Sequence, residues 1–377
     1  MIPLSEPNLG GNELKYVSDC IETNWVSSVG SYVDKFEQMS AAYCDVAKGI
    51  AATNGTAALH ISLILGGVQR GDLVILPNIT FVAPANVIKY IGADPLLMDV
   101  DKDTWQLDTV LLERFLATEC EVRGGYCYHV SSGRRIPVIL PVHVLGNMVN
   151  MEALMTLAES YRLTVIEDAT EALGSTYNGK PAGSFGLFGC LSYNGNKIIT
   201  TGGGGMILTN DEKLAAKAKH LTTQAKASAL DYYHDELGYN YRLVNILAAI
   251  GVAQMEQLDA FIVRKRAVAE MYSSALKEVP GFRPQTVTAN VNPNCWLYTA
   301  AFHRSKELIA YLKEHQVQAR PFWVPMNQLP VFENDVYYNN GDISGEVFGD
   351  CVSLPCSSGI TDEMVAIVIN KIKEFYA

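Results

Sequence analysis

The chain has 377 residues, of which 49% are apolar and 18% are charged. This composition excludes a disordered chain and is typical of two packed domains, or of one large domain with a smaller one. The formal net charge of −11 argues against a protein that binds nucleic acid through a basic surface.

Apolar runs of strand length alternate with helical patterns through the first half of the chain. Strands are predicted at residues 49–53, 73–76, 95–100, 136–142 and 163–167. Helices are predicted between them at residues 56–65, 84–90, 107–117 and 151–161. This alternation predicts an α/β fold with a central, mostly parallel sheet covered by helices on both faces. The polar, glycine-rich residues 119–135 are expected to form an insertion or a hairpin.

Further elements follow in the second half of the chain. Strands are predicted at residues 189–193 and 205–209, and a helix capped by Asn210 at residues 211–226. A long helical region at residues 244–275 is expected to bend. Beyond it, a strand at 297–302 and helices at 305–315 and 361–376 predict a smaller α+β domain. We therefore expect a large domain over residues 1–280 and a small C-terminal domain over residues 281–377.

Cysteine, histidine and apolar patterns bear on compartment and metal binding. The eight cysteines form no CxxC pair, which is typical of reduced thiols in a cytoplasmic protein. The seven histidines show no spacing typical of metal ligands, so no metal site is expected. The N-terminus lacks the features of a signal peptide, and no apolar run has the length of a membrane span, so no membrane contact is expected.

The first candidate site motif is Asn54-Gly55-Thr56-Ala57-Ala58-Leu59-His60, which follows a predicted strand and begins a predicted helix. Free N–H groups at a helix N-terminus bind anions. Gly55 lets the backbone approach a ligand closely, and Thr56 adds a hydroxyl donor. An ordinary helix N-cap explains the same residues equally well.

The second motif is a predicted apolar strand that ends in Glu167 and Asp168. In open α/β sheets, ligands bind beyond the carboxyl ends of the strands, so Asp168 is placed to meet a cofactor. A helix cap for the following segment is the alternative.

The third motif is Ser192-Tyr193-Asn194-Gly195-Asn196-Lys197, followed by a run of glycines at residues 202–205. A lysine in a turn between two apolar strands is a poor structural choice unless it has a partner. A P-loop is excluded because Lys197 precedes the glycines and a strand follows them.

Together and in this order, these motifs resemble the DegT/DnrJ/EryC1/StrS sugar aminotransferases, which are pyridoxal 5′-phosphate (PLP) enzymes of fold type I. The resemblance covers nearly the whole chain. Further matching stretches are residues 7–13, 25–31, 80–83, 141–147 and 238–243, with Ala248-Ala249-Ile250-Gly251 after them.

The resemblance implies roles for individual residues. Lys197 would bind PLP covalently, and Asp168 would pair with the pyridine nitrogen. The implied cofactor-binding set also includes Gly55, Thr56 and Ser192 at the phosphate, Phe81 stacked on the ring, Glu171 near the phenolic oxygen and Asn240 from a neighbouring subunit. The last role implies a homodimer with shared active sites. Glu171 and Gly203 depart from the family pattern, in which many relatives carry Gln or His, and Glu, at these positions.

The resemblance also implies a reaction. L-glutamate would donate its amino group to C4 of a nucleotide-linked 4-keto-6-deoxy sugar. The opening residues 2–7 and residues 319–325 are similar to LegC-type enzymes of legionaminic acid and related pathways, which implies a product of the UDP-4-amino-4,6-dideoxy-N-acetylglucosamine type. Candidates for holding the sugar or nucleotide are Trp25, Ser27, Ser28, His143, Arg320 and Trp323, although plain packing explains each of them as well.

Three alternatives stay open at this point. A GDP-perosamine-type synthase performs a 4-amination of a different sugar. A sugar dehydratase of the same fold is disfavoured because such relatives carry histidine in place of Lys197. A non-catalytic regulator is disfavoured by the intact set of catalytic groups.

Overall fold

The computed structural model describes residues 1–228 and 230–377. The strands are β1 (Lys48–Ala52), β2 (Leu73–Pro77), β3 (Asp94–Met98), β4 (Cys120–Arg123), β5 (Tyr126–His129), β6 (Arg135–Ile136), β7 (Val138–Ile139), β8 (Thr164–Asp168), β9 (Thr176–Tyr177), β10 (Lys180–Pro181), β11 (Phe188–Ser192), β12 (Gly205–Thr209), β13 (Arg283–Pro284), β14 (Val291–Asn292), β15 (Tyr298–Ala301), β16 (Arg320–Pro321), β17 (Val336–Tyr338) and β18 (Cys351–Leu354). The helices are α1 (Glu13–Glu22), α2 (Ser31–Tyr43), α3 (Gly55–Leu65), α4 (Ala83–Ile91), α5 (Thr109–Glu119), α6 (Met151–Ser160), α7 (Glu212–Thr222), α8 (Asn245–Met255), α9 (Leu258–Ala275), α10 (Ser305–Glu314), α11 (Ile343–Asp350) and α12 (Asp362–Tyr376).

The central sheet has the strand order β1-β12-β11-β8-β7-β2-β3-β17. Neighbouring strands are parallel except at β12, which is antiparallel to both β1 and β11. This order confirms the predicted α/β fold with a mostly parallel sheet. The carboxyl ends of β8 and β11 therefore lie side by side at one edge of the sheet.

The core lies on both faces of this sheet, because side chains alternate along each strand. In β2, Leu73 and Ile75 pack into a cluster that includes residues of α2, α5, α6 and α8. Val74 and Leu76 of the same strand pack into a second cluster with residues of α3, α4 and α7. Both faces are thus covered by helices, as the apolar runs predict.

The predicted strand at residues 136–142 is interrupted in the structure. Ile136 pairs with Cys127 in the three-stranded sheet β4-β5-β6, whereas Val138 and Ile139 pair within the central sheet. Pro137 separates the two pieces and has no N–H group to donate to a neighbouring strand. The predicted hairpin at residues 119–135 is confirmed by the antiparallel pair β4-β5.

One prediction around the helices is corrected and another is confirmed. The cap of α7 is Asp211, whose Oδ1 atom accepts hydrogen bonds from the backbone N–H groups of Lys213 and Leu214. The predicted cap, Asn210, instead accepts a hydrogen bond from the backbone N–H of Ala47. The predicted bend is confirmed, since α8 and α9 are separate helices at 61° to each other. The helices α1 and α2 were not predicted.

The C-terminal residues build a second sheet with the order β13-β15-β18-β16. It packs with α10, α12 and the second half of α9 around a core of its own. The chain also crosses between the two sheets, because β17 joins the central sheet and Ile2 pairs with Val317 beside the C-terminal one. The division at residue 280 stays a prediction.

Among the described residues, no single helix is long and apolar enough to cross a lipid bilayer, and only the bent pair α8 and α9, taken together, has the length and composition to do so.

Candidate active site

A cavity of about 750 Å³ lies at the carboxyl ends of β8 and β11. Its floor comes from the central sheet, through residues such as Asp168 and Ser192. Its opposite wall comes from the C-terminal part of the chain. The lining includes Leu4, Asn54, Gly55, Thr56, Thr80, Phe81, Leu145, Asp168, Thr170, Glu171, Ser192, Asn194, Asn196, Lys197, Trp296, Arg320, Phe322, Trp323 and Ser353. The predicted site residues that meet here include Gly55 and Trp323, which are more than 250 positions apart in the chain.

Lys197 projects its amine into this cavity. The Nζ atom lies 3.7 Å from the Oε1 atom of Glu171 and 4.1 Å from the centre of the Trp296 ring. Only 11% of the Lys197 side chain is exposed. Burial lowers the pKa of this amine, while the carboxylates of Glu171 and Asp168 oppose the shift. A lysine in such a dry site is more readily deprotonated and can act as a nucleophile.

Two buried carboxyl groups face the lysine. Asp168, the last residue of β8, accepts a hydrogen bond from the Thr170 backbone N–H at 3.1 Å, and burial raises its pKa. Burial also raises the pKa of Glu171 to about 7, although Lys197 pulls it down. The second oxygen of Glu171 accepts a hydrogen bond from the Leu145 backbone N–H at 2.8 Å. The site therefore holds titratable groups whose charge depends on what binds between them.

The N-terminus of α3 supplies free hydrogen-bond donors. Asn54 caps the helix, since its Oδ1 atom accepts from the Ala57 N–H at 2.7 Å. In the described part of the chain, no acceptor meets the backbone N–H groups of Gly55 and Thr56. A Cβ atom at Gly55 would lie 2.9 Å from the Cβ of Ser192, so this close approach requires glycine. Both sequence interpretations of the motif, the cap and the anion site, are thus compatible with one geometry.

Some of the residues predicted to hold substrate line the cavity. Arg320 and Trp323 lie on its C-terminal wall. Phe81, which is predicted to stack on the cofactor, also lines the cavity and is 53% exposed. His143 does not line the cavity. Its imidazole is fully buried, with Nε2 3.0 Å from a carboxylate oxygen of Glu167, and its backbone N–H donates to the Asp168 carbonyl at 3.1 Å.

The remaining predicted residues lie together outside this cavity. The backbone carbonyls of Ser27 and Ser28 accept hydrogen bonds from the Asn245 N–H and the Arg242 side chain. Trp25 is 54% exposed, and Asn240 is also exposed. These hydrogen bonds join residues 25–28 and 240–245 into one surface region, within which Leu243 and Asn245 are buried.

Sequence reasoning missed several residues of the cavity, and two of them bear on its chemistry. Thr80 immediately precedes Phe81, and its Oγ1 atom is buried with no hydrogen-bond partner among the described residues. Trp296 packs on the amine of Lys197. Adjacency to Phe81 could have indicated Thr80, whereas no spacing in the sequence relates Trp296 to Lys197.

Residues 7–373 match the family model described as the DegT/DnrJ/EryC1/StrS aminotransferase family. The chain belongs to this family. It is therefore an aminotransferase that depends on PLP, with the fold of the fold type I enzymes.

Individual relatives agree with this assignment over nearly their full length. GDP-perosamine synthase of Escherichia coli O157:H7 is 36% identical over 379 residues, which cover 100% of this chain and 99% of that protein. EpsN of Bacillus subtilis, whose name describes a pyridoxal phosphate-dependent aminotransferase, is 37% identical over 375 residues, which cover 98% and 94%. The crystal structure of a DegT DnrJ EryC1 StrS aminotransferase from Brucella abortus superposes with a TM-score of 0.89 at 25% identity and covers 97% of this chain and 95% of that one.

The cavity fits PLP by the chemistry of its groups. A phosphate dianion suits the N–H groups of Gly55 and Thr56 and the hydroxyl of Thr80, none of which has a partner among residues 1–228 and 230–377. The amine of Lys197 can react with the aldehyde of PLP. The carboxylate of Asp168 can pair with its protonated pyridine nitrogen.

Proposed function

We propose that this enzyme transfers the amino group of L-glutamate to C4 of a nucleotide-linked 4-keto-6-deoxy sugar. The observation that carries the proposal is the buried Lys197 amine, which faces Asp168 and Glu171 in a cavity of about 750 Å³. PLP, when bound, supplies an aldehyde that accepts the amino group and a ring that withdraws electrons from the neighbouring carbon.

Lys197 is proposed as the catalytic residue that bonds to the cofactor. Once a substrate amine has taken its place, its Nζ atom is free to take a proton from the donor carbon and deliver it elsewhere in the site. Its low exposure keeps water away from this proton, and its lowered pKa allows the amine to act as a base.

Asp168 is proposed to keep the pyridine nitrogen protonated. Burial alone favours the neutral acid, so a cationic partner within hydrogen-bond distance is what would hold Asp168 ionised. Glu171 is proposed to lie near the phenolic oxygen. Because its pKa is raised to about 7, it can meet that oxygen as a neutral acid that donates a hydrogen bond.

The phosphate is proposed to bind at the N-terminus of α3, where Gly55, Thr56 and Ser192 line the cavity. Phe81 is proposed to stack on the cofactor ring, which its position on the cavity wall supports. Asn240 is proposed to reach the phosphate from a second copy of the chain. It is exposed and is not among the residues that line the cavity of its own chain, which is compatible with a homodimer that shares its sites.

The nucleotide sugar is proposed to contact Arg320 and Trp323 on the C-terminal wall, where a guanidinium suits a diphosphate. The surface region of residues 25–28 and 240–245 would complete the pocket of a second copy, with Trp25, Ser27 and Ser28 at its rim. His143 is proposed to act indirectly, because its hydrogen bonds with Glu167 and with the Asp168 backbone hold the end of β8.

A UDP-linked sugar that yields a UDP-4-amino-4,6-dideoxy-N-acetylglucosamine-type product is the first candidate substrate. A GDP-linked sugar is the second, and it is favoured by the names of curated relatives: the GDP-perosamine synthases of Escherichia coli and Caulobacter vibrioides are each 36% identical to this chain. Both candidate substrates would be aminated at C4, with L-glutamate as the amino donor.

The test has two stages. Borohydride treatment of the PLP-loaded protein, followed by peptide mapping, should place the reduced cofactor on Lys197, and the Lys197→Ala variant should carry none. L-glutamate should then convert the visible absorption band to that of the pyridoxamine form, and UDP-, GDP- and dTDP-linked 4-ketosugars should be compared by mass spectrometry for a gain of an amino group. A label at any other residue, or no amino product from the whole panel, would overturn the proposal.

A further inference from the structure

The indole of Trp296 lies directly against the reactive amine. The Nζ atom of Lys197 is 4.1 Å from the centre of the Trp296 ring, and the Trp296 side chain is 2% exposed. Trp296 also stacks on Trp323, with ring centres 6.3 Å apart and planes 19° apart. An aromatic face attracts an ammonium group, and the attraction is strongest where water is excluded.

Within the described residues four hydrogen bonds hold Trp296 in this place, one of them from the Cys356 thiol to the Trp296 carbonyl at 3.7 Å. Its indole Nε1–H donates to the carbonyl of Asn196, the residue before Lys197, at 2.7 Å. Its backbone N–H donates to the side chain of Asn294 at 2.9 Å, and its carbonyl accepts from the Nζ atom of Lys265 at 2.7 Å. The ring is therefore tied both to the turn that carries Lys197 and to helix α9.

Lys265 is an unusual residue for its position. It is 2% exposed within α9, and its amine has the Trp296 carbonyl and, at 4.0 Å, the Cys356 sulfur as neighbours. No charged carboxylate contributes to its electrostatic surroundings in the described part of the chain, and burial lowers its pKa. A buried amine without a carboxylate is unfavourable compared with an apolar side chain of similar size. An apolar side chain at this position could not donate the hydrogen bond that Lys265 gives to the Trp296 carbonyl.

We propose that Trp296 is a positioning residue that docks the amine of Lys197 when that amine is protonated and released, and that Lys265 fixes Trp296 in its docking position. The proposal rests on the proposed function in so far as Lys197 is the reacting amine. The carboxyl groups of Glu171 and Asp168 attract the ammonium form of Lys197. The Trp296 ring, 4.1 Å from the Nζ atom, is a further attractive contact, so the flexible lysine stays where it can exchange a proton with the substrate.

The first test measures the titration of Lys197 itself in the protein without PLP. Competitive acetylation across a range of pH, read by mass spectrometry, reports the pKa of each lysine. Trp296→Leu should lower the pKa of Lys197 by roughly one unit, because the aromatic face that favours the ammonium form is gone. Trp296→Phe keeps an aromatic face and should titrate close to the wild type. An unchanged pKa in Trp296→Leu, or an equal fall in Trp296→Phe, would overturn the proposal.

The second test asks whether Lys265 acts through Trp296. Lys265→Met keeps the length of the side chain and loses the hydrogen bond, and it should move the Lys197 titration in the same direction as Trp296→Leu. In the double variant the two shifts should not add, because both substitutions act on one contact. Lys277→Met, at an exposed lysine soon after the end of α9, is the matched control and should change nothing. Additive shifts would contradict the role of Lys265. If Lys265→Met does not fold, the Trp296 series decides alone.

The third test uses the PLP-loaded enzyme. Trp296→Leu should lower kcat about tenfold while KM for L-glutamate stays nearly unchanged, and Trp296→Phe should restore most of kcat. A loss confined to KM would contradict a docking role. Borohydride labelling of the wild type separates the two proposals. A label absent from Lys197 defeats the proposed function, whereas the titration of Lys197 still decides the role of Trp296.

Discussion

The Nζ atom of Lys197 lies 3.7 Å from the Oε1 atom of Glu171, inside the cavity where Asp168 is also buried. The family resemblance implies that Glu171 is one of two positions, with Gly203, at which the chain departs from the family pattern. Its charge therefore bears directly on the protonation of the proposed catalytic amine.

Glu171→Gln should remove a transition near pH 7 from the rate at which L-glutamate converts the bound cofactor. The raised pKa, about 7, means that the carboxyl group is neutral below this pH and negative above it. The negative form stabilises the ammonium form of Lys197, so the rate should change as Glu171 ionises. Stopped-flow absorbance between about pH 5 and pH 9 should show an inflection near 7 in the wild type and none there in the variant. The same inflection in both proteins would assign it to another group.

The same carboxyl group should make stability depend on pH. Its ordinary pKa is 4.5 and its value in the folded chain is about 7, so between these values the folded chain binds a proton that the unfolded chain has released. Its contribution to the free energy of unfolding is therefore complete below pH 4.5 and is lost as the pH rises through 7. In urea unfolding without the cofactor, the free energy of unfolding of the wild type relative to that of Glu171→Gln should fall as the pH rises from 4.5 through 7. A rise of the wild type relative to the variant over this range would contradict the prediction.

Asp168→Asn should abolish most activity while the fold is retained. The amide keeps the shape of the side chain and cannot supply the negative charge that holds a protonated pyridine nitrogen, so the rate should fall at least about a hundredfold. The free energy of unfolding without PLP should not decrease, because a buried acid with a raised pKa is replaced by a neutral group. Absorbance after addition of L-glutamate and urea unfolding provide the two measurements. Near-normal turnover would exclude Asp168 from the proposed role.

Glu167→Gln should destabilise the fold. The carboxylate of Glu167 is fully buried and accepts hydrogen bonds from the backbone N–H groups of Gly183, Phe185 and Gly186, in addition to its contact with His143. Breaking such a network typically costs about 3–5 kcal/mol of unfolding free energy.

Glu212→Gln is the matched control for this substitution. Glu212 pairs with Lys48 at the surface, where the two side chains are 75% and 49% exposed. Its loss should change stability by less than about 0.5 kcal/mol in urea unfolding. Equal effects of the two substitutions on the free energy of unfolding would show that the hydrogen bonds of Glu167 add no more stability than an exposed ion pair.

A shared active site predicts that two inactive variants restore activity when they are mixed. Lys197→Ala lacks the amine, and Asn240→Ala lacks the group proposed to enter the neighbouring site. After random exchange of subunits, half of the dimers are hybrids with one complete site each, so about a quarter of wild-type activity should return. Activity that stays at the sum of the separate variants would place Asn240 in its own subunit's site or outside any site. Mixing Lys197→Ala with Asp168→Asn is the negative control. In that hybrid neither site is complete, so no activity should return after exchange.

Features that depend on short stretches of chain were accessible from the sequence. The alternation of strands and helices, the free donors at the start of α3 and the exposed turn at Lys197 are set by residues that are close in the chain, because backbone hydrogen bonds and side-chain periodicity are local. Sequence resemblance over residues 7–373 then identified the family and its cofactor. The hairpin at residues 119–135 was equally local, and it was predicted correctly.

Other features required the tertiary structure. Trp296, Lys265 and Lys197 are distant in the chain and meet only because the C-terminal wall packs over the end of the central sheet. The partner of His143 is Glu167, and the break at Pro137 divides one apolar run between two sheets. The sequence by itself determined the groups proposed to carry the chemistry, since Lys197, Asp168 and Gly55 stand in local motifs. Only the folded chain decided which groups are buried against each other, because burial and electrostatic shifts depend on neighbours brought together by packing.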